Sequence, residues 1–395
     1  MIAFDAALAL IAEHGQPLAR ELVPLGCAQG RVLADPVIAR TDAPATDVSA
    51  MDGIAVRDAD LSPLPATLHI VGTSFAGEPW RGEIGRSECV RIFTGAPLPQ
   101  GADRVVMQEH IFIRGNQATV TEGYGPGWHV RAAGSDFRSG DVLIPAGTRL
   151  GPRQLLCVAA ADQAQVSIWR RPRVAILSTG TELVPAGGAQ DRPDRLPDSV
   201  SPGIAALVDV WGGEVIERHL AGDNLAELVD IAGIMLHRAD ILVVTGGASV
   251  GERDHAKDML VPHGLELFFS KIAMKPGKPV WFGRCGSTLV VGLPGNPTSA
   301  MVTARLILAP LLAIMSGLPP ETALAWKRLP VDGNIPPNAG RENFFRAQCV
   351  GGCAVVLSSQ DSGSQKILAA ADLLVRASTQ ETGEDGPHIA LCLDF

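Results

Sequence analysis

Aromatic residues are scarce, at 5% of 395 residues, with a single tyrosine. Stacking platforms for single-stranded nucleic acid need several exposed rings, so that class is disfavoured. The net charge is −9 and no arginine-rich tail is present, which makes duplex nucleic acid a poor partner. No uninterrupted run of about 18 apolar residues appears, so no membrane span is expected. The opening MIAFDAALALIAEHG lacks a basic leader and carries Asp5 and Glu13, as an amphipathic helix would and a signal peptide would not. The seven cysteines are odd in number and scattered, which fits a reducing cytoplasm. Cys349 and Cys353 are the nearest pair. With no histidine beside them they read as plain thiols rather than metal ligands. No G-x-S-x-G, no histidine pair at ligand spacing and no solenoid-period repeat is found.

Glycine (43) and proline (29) are plentiful, which implies many turns, and 46% apolar residues suffice for real cores. The length suggests two to four domains. Residues 2–14 read as a helix, 21–52 as a turn-rich crossing segment, and 54–131 as strands and hairpins forming an inserted β domain. Residues 134–168 are mixed, with a helix at 152–161 behind Pro152. From 171 to 317 the pattern alternates. Strands fall at 173–178, 214–219, 240–245, 266–273 and 287–292, and helices at 202–211, 224–237, 254–262 and 298–316. That order predicts a doubly wound α/β domain. After Pro319-Pro320, residues 321–395 read as a small β-barrel or sandwich.

Three of the predicted strands end in glycine-bearing polar loops: 178–183 (STGTEL), 245–254 (TGGASVGERD) and 292–299 (GLPGNPTS). Open α/β sheets bind ligands at that rim, and glycine admits an anion close to backbone N–H groups. Four of only six lysines, Lys257, Lys271, Lys275 and Lys278, fall within 22 residues. In Lys275-Pro276-Gly277-Lys278-Pro279 a rigid turn lets two ammonium groups converge on a phosphate or oxyanion. Glu182, Asp223, Glu252 and Asp254 gather on the same rim and suit a Mg²⁺ that keeps waters and substrate phosphates. Helix capping explains Asp223 and Asp254 equally well. Pro294 and Pro297 shape a turn that feeds a helix N-terminus. In the N-terminal half, Asp52, Thr94, Arg131 and Asp136 sit in turn-forming sequence, for which plain turn chemistry is the simpler reading.

Taken in order, these stretches resemble the molybdopterin molybdenumtransferase family, that is, MoeA and the E domain of gephyrin. The resemblance rests on 49–53 (SAMDG), 93–101 (FTGAPLPQG) with 105–109 (VVMQE), 178–183, 245–254, 274–279 (MKPGKP) and 292–299. Gly340-Arg341 with Phe344 and Arg346 adds to it. It implies a multidomain α/β fold: a doubly wound MogA-like α/β domain (169–318), an inserted β domain (21–36 with 54–131), an elongated N-terminal mixed domain (1–20 with 37–53 and 132–168) and a C-terminal β-barrel-like domain (319–395). It implies a cytoplasmic homodimer whose site lies between one subunit's α/β domain and the other's N-terminal half. The implied reaction takes adenylylated molybdopterin and molybdate to molybdenum cofactor and AMP, with Mg²⁺. Molybdopterin adenylyltransferase and molybdoenzymes would be partners. By position, Asp52, Thr94, Glu182, Asp223 and Asp254 would be catalytic. Arg131, Asp136, Ser249, Lys275, Lys278, Pro294 and Pro297 would bind substrate, and Glu182, Asp223 and Asp254 would hold the metal.

Three positions depart from the family's common pattern. Ile54 replaces an aromatic after Met-Asp-Gly, Thr181 replaces an acid after Ser-Thr-Gly, and Val200 replaces an asparagine after Asp-Ser. A non-catalytic molybdopterin-binding or chaperone paralogue, and an enzyme of the sister adenylylation reaction, stay open as alternatives.

Overall fold

The computed structural model describes residues 1–121, 124–246, 255–333, 335, 340–377 and 388–393. Its centre is a six-stranded sheet in the spatial order Glu214–Ala221, Arg173–Thr179, Ile241–Thr245, Thr288–Leu293, Trp281–Cys285, Glu266–Phe269. The first four strands are parallel and the last two join antiparallel. The apolar runs of the three inner parallel strands, Arg173–Thr179, Ile241–Thr245 and Thr288–Leu293, are buried on both faces, as parallel strands under two helical layers require. Helices Val200–Val210 and Pro297–Met315 serve one core, and helix Leu225–Leu236 serves the core on the opposite face.

Helix Pro297–Met315 is long and apolar enough to cross a membrane, yet its apolar window is wholly buried inside the protein. Arg305 interrupts the run in sequence and is itself buried, donating to the Ala323 carbonyl at 2.6 Å.

Residues 53–120 form a second six-stranded sheet, in the order Arg104–Met107, Gly53–Val56, Glu88–Ile92, Ala66–Ser74, Gln117–Val120, Ile111–Arg114. A third sheet runs Lys327–Leu329, His388–Cys392, Leu373–Ala377, Glu342–Val350, Cys353–Val356, Val331–Asp332. Its two outermost strands are separated in sequence only by Pro330, so the sheet curls until its edges adjoin.

Several segments lie elsewhere than the sequence suggested. Residues 21–36 do not join the inserted β domain. Arg20–Pro24 pairs with Gln165–Trp169, and Ala28, Leu33 and Val37 share a core with Ile144, Val158 and Ile168. The N-terminal helix, Phe4–His14, buries Phe4, Ala7 and Ile11 in the main core beside Leu311 and Phe344 rather than against 37–53. The helix expected at 254–262 is, among the described residues, a shorter 3-10 helix over Asp258–His263 that contains Pro262. The strand expected over 266–273 stops at Phe269, and strand Trp281–Cys285 was not foreseen.

Candidate functional site

Strands Arg173–Thr179, Ile241–Thr245 and Thr288–Leu293 lie side by side with their C-terminal ends level. Ser178 pairs with Thr245, and Thr245 with Leu293. The Thr245 hydroxyl donates to Ser178 Oγ at 3.0 Å, tying two ends together inside the protein. The following loops enclose a cavity of about 470 Å³ whose wall includes Glu182, Asp198, Asp223, Gly246, Asn296 and Gln365. Gly246 has φ +93°, and a Cβ there would lie 2.4 Å from the Thr179 carbonyl oxygen, so no other residue fits without backbone movement.

Asp223 is oriented by Thr181, whose N–H and hydroxyl donate to the same carboxylate oxygen at 3.2 and 3.0 Å. Glu182 folds its carboxylate over Gly180, where a Cβ would meet both oxygens at 2.8 Å. Asp198, just ahead of helix Val200–Val210, accepts the Ser201 N–H at 3.1 Å and the Ser201 hydroxyl at 2.5 Å. No lysine or arginine is among the described lining residues, so this recess is acidic.

Lys275 and Lys278 open instead into a neighbouring cleft of about 430 Å³, lined also by Ser299, Arg341, Asn343 and Arg346 among others. Among the described residues, acids and ammonium groups line two adjoining recesses rather than one. The 274–279 turn leaves the α/β sheet and joins the third sheet, Met274–Lys275 pairing in parallel with Glu342–Asn343. Gly277, at φ +103°, is pressed on the long helix, and a Cβ would lie 2.1 Å from Thr303 Cγ2. The two recesses flank the start of one helix: Asn296 and Pro297 line the acidic one and Ser299 the cationic one.

Arg346 is 1% exposed. Burial pushes its guanidinium below the usual arginine range, and Asp361 opposes this only in part. One of its nitrogens donates to the Asp361 carbonyl at 3.2 Å, while its Nε has no partner. A buried cation in that condition is costly unless an anion neutralises it. Arg341, Arg346, Ser299 and Gln365 carried no assigned role in the sequence. The available signal was a lone arginine inside the apolar strand 342–350.

In the N-terminal half, Asp52 accepts both the N–H and the hydroxyl of Thr94 at 2.8 Å. The backbone bond and then the hydroxyl hold its carboxyl below the usual carboxylate range. Gly53 is obligatory, because a Cβ would lie 1.9 Å from the Val106 carbonyl oxygen. Arg131 is exposed on a two-residue strand opposite Val48, and exposed Asp136 donates its N–H to the Ala43 carbonyl at 3.0 Å. Neither recess has any of these four residues in its wall. Pro297 lines the acidic recess, whereas Pro294 is buried outside both walls. Ser249, Glu252 and Asp254 lie outside the described residues.

Residues 2–161 match the family described as MoeA N-terminal region (domain I and II), and residues 175–314 match the probable molybdopterin binding domain. A molybdopterin molybdenumtransferase from Haemophilus influenzae is 36% identical over 336 residues, covering 84% of this chain and 81% of that protein. One from Nostoc is 36% identical over 305 residues, covering 75% of this chain and 70% of that protein. A crystal structure titled molybdopterin biosynthesis moeA protein, from Pyrococcus horikoshii, superposes with a TM-score of 0.84 at 25% identity, covering 99% of this chain and all of that one. The chain belongs to the molybdopterin molybdenumtransferase family and has its multidomain α/β fold.

Proposed function

We propose that this protein inserts molybdate into adenylylated molybdopterin, releasing AMP and forming molybdenum cofactor. The observation that carries this reading is the sorting of charge on either side of one helix start: an acidic recess at the sheet rim and a cationic cleft beside it. Molybdate, as substrate, suits the cleft, where Lys275, Lys278, Arg341 and Arg346 supply positive charge and Ser299 a hydroxyl. The nucleotide-bearing end of the other substrate suits the rim.

Among the described residues no three metal ligands converge, and Glu182 and Asp223 are two rim carboxylates suited to a Mg²⁺ that keeps waters and phosphate. Its donors would be carboxylate oxygens alone, with Glu182 cradled over Gly180 and Asp223 set by Thr181, and room for waters and phosphate remains. Glu182, Asp223 and Asp254 would hold the ion, which when bound neutralises phosphate charge. The chain's own part is positioning: carboxylates orient the attacking oxygen at the phosphoanhydride, and the cationic cleft keeps the oxyanion close.

Asp52, Thr94, Arg131 and Asp136 line neither recess of their own chain. We therefore assign them to the acidic rim of a second copy in a homodimer. The seven free thiols fit a cytoplasmic setting.

Incubating the purified chain with adenylylated molybdopterin, Mg²⁺ and molybdate should release AMP. Binding without AMP release would sink the transferase reading and return the chaperone one. A sedimentation run showing only monomer would remove the shared site.

A further inference from the structure

The cationic cleft is built chiefly from residues 274–279 and 341–346, which are far apart in sequence, and the pairing that joins these two stretches is short. Met274–Lys275 meets Glu342–Asn343 over two residues only. A strand pairing of that length does not by itself hold register. Two neighbouring bonds extend it: the Glu342 N–H donates to the Ala273 carbonyl at 2.9 Å, and the Ala273 N–H to the Ile2 carbonyl at 2.8 Å. The N-terminal segment is thus part of the frame.

One side chain ties the N-terminal segment to the start of strand Glu342–Val350. Arg376, on strand Leu373–Ala377, donates from Nε to Glu342 Oε2 at 2.6 Å and from Nη2 to both Asp5 oxygens at 2.9 and 3.0 Å. Its guanidinium lies 5.0 Å from the Phe4 ring centre and 5.8 Å from that of Trp326. Phe4 in turn meets Phe344 edge-on at 5.0 Å. The Arg376 and Glu342 side chains are each 12% exposed, so their pairing is largely shielded from solvent, whereas Asp5 reaches Arg376 from the surface. Glu342 is flanked in sequence by Arg341 and Asn343, both of which line the cleft, whereas Arg376 does not.

We propose that Arg376 is a positioning residue for the cationic cleft. It bolts the N-terminal helix and the start of strand Glu342–Val350 to one point, and so keeps Arg341 and Arg346 opposite Lys275 and Lys278. A planar fork serving two carboxylates at fixed angles is an arginine property, and a lysine ammonium at this site cannot reproduce it. The oxyanion cleft therefore depends on Asp5, near the other end of the chain. This inference rests on the proposed reading of the cleft as the molybdate site.

The test uses the full chain and two separate equilibrium titrations, one with molybdate and one with adenylylated molybdopterin in the absence of molybdate. R376K keeps the charge and loses the fork. It should weaken molybdate binding at least tenfold while the pterin affinity stays within twofold. In turnover, KM for molybdate should rise while kcat at saturating molybdate is retained. D5N, which alters an exposed acid, should give a smaller loss of the same selectivity and carries the test if R376K does not fold. Parallel loss of both ligands in the soluble variants, or unchanged molybdate affinity in them, overturns the proposal. An unsubstituted chain that takes no molybdate overturns the reading of the cleft as well.

Discussion

Gly295 stands so close to Gly246 that a Cβ on the former would lie 3.3 Å from the latter's Cα. Two rim loops touch here backbone to backbone, and the two glycines differ in what they tolerate. G246A must place a side chain at φ +93° and against the Thr179 carbonyl at 2.4 Å. Strain of that kind costs about 1–3 kcal/mol. The expected result is at least a tenfold loss of rim-ligand affinity in a binding titration. G295A needs its neighbour to shift by only a few tenths of an ångström and should lose less than threefold. Equal effects would show that this contact does not shape the rim.

Thr181 stands where the family commonly has an acid, and its hydroxyl donates to Asp223. An ionised acid there would face Asp223 with acceptors only and raise like-charge repulsion. T181V removes the hydroxyl bond while the Thr181 N–H bond remains, so Mn²⁺ affinity at the rim should fall a few-fold with the chain still folded. T181D removes the hydroxyl donor and adds a negative charge beside Asp223, so its Mn²⁺ affinity should differ from that of T181V. Identical metal titrations for all three proteins would remove Thr181 from the site.

Asp52 is held below the usual carboxylate range by Thr94, so it stays charged throughout the working range of pH. Its link to Thr94 is present above the ordinary value of 3.8 and is lost only as pH falls through the lower, folded-state value. An activity profile between about pH 5 and 8 should show no acid limb from this group. T94V should raise the Asp52 pKa without restoring it fully, because the Thr94 N–H still donates, and carboxyl NMR would read the change. D52N should lower turnover at least a hundredfold and leave molybdate affinity unchanged.

Asp240 tests stability rather than chemistry. Burial alone would raise its pKa, but a two-pronged bond from Arg170 at 2.8 and 2.9 Å and the Arg173 N–H at 2.7 Å bring it below 3.8. The charged form is the one stabilised. D240A should therefore cost about 1–3 kcal/mol near neutrality. That gap should close as pH falls from about 5 toward 2, through the lowered folded-state value. A gap that does not change with pH would mean that packing, not charge, is what Asp240 contributes.

The rim was legible in the sequence because its determinants are local. Short apolar runs such as 241–245, β-branched and ended by glycine, read as buried strands that break at the sheet edge. The division of charge between two recesses was not legible. Lys275 pairs beside Asn343 through tertiary contact, and no local pattern shows that 274–279 leaves the sheet that carries Glu182 and Asp223. Strand Trp281–Cys285 was hidden because Gly283, Arg284 and Gly286 look like a turn. Gly283 is in fact required, since a Cβ would lie 2.4 Å from the Glu266 carbonyl. Phe4–His14 was recognisable as a helix from its apolar stripe, but a stripe does not say which surface it will cover.

Pro330 has a bearing on behaviour in concentrated solution. A pleated layer usually leaves a row of unpaired amides at each margin, and neighbouring molecules can add to it. Here one residue bridges both margins, so each closes off the approach to the other, and a ring lacking an N–H stands at the seam. Self-association through that layer is discouraged by the covalent path of the chain itself, together with exposed Lys327, Arg328 and Asp332 beside the join.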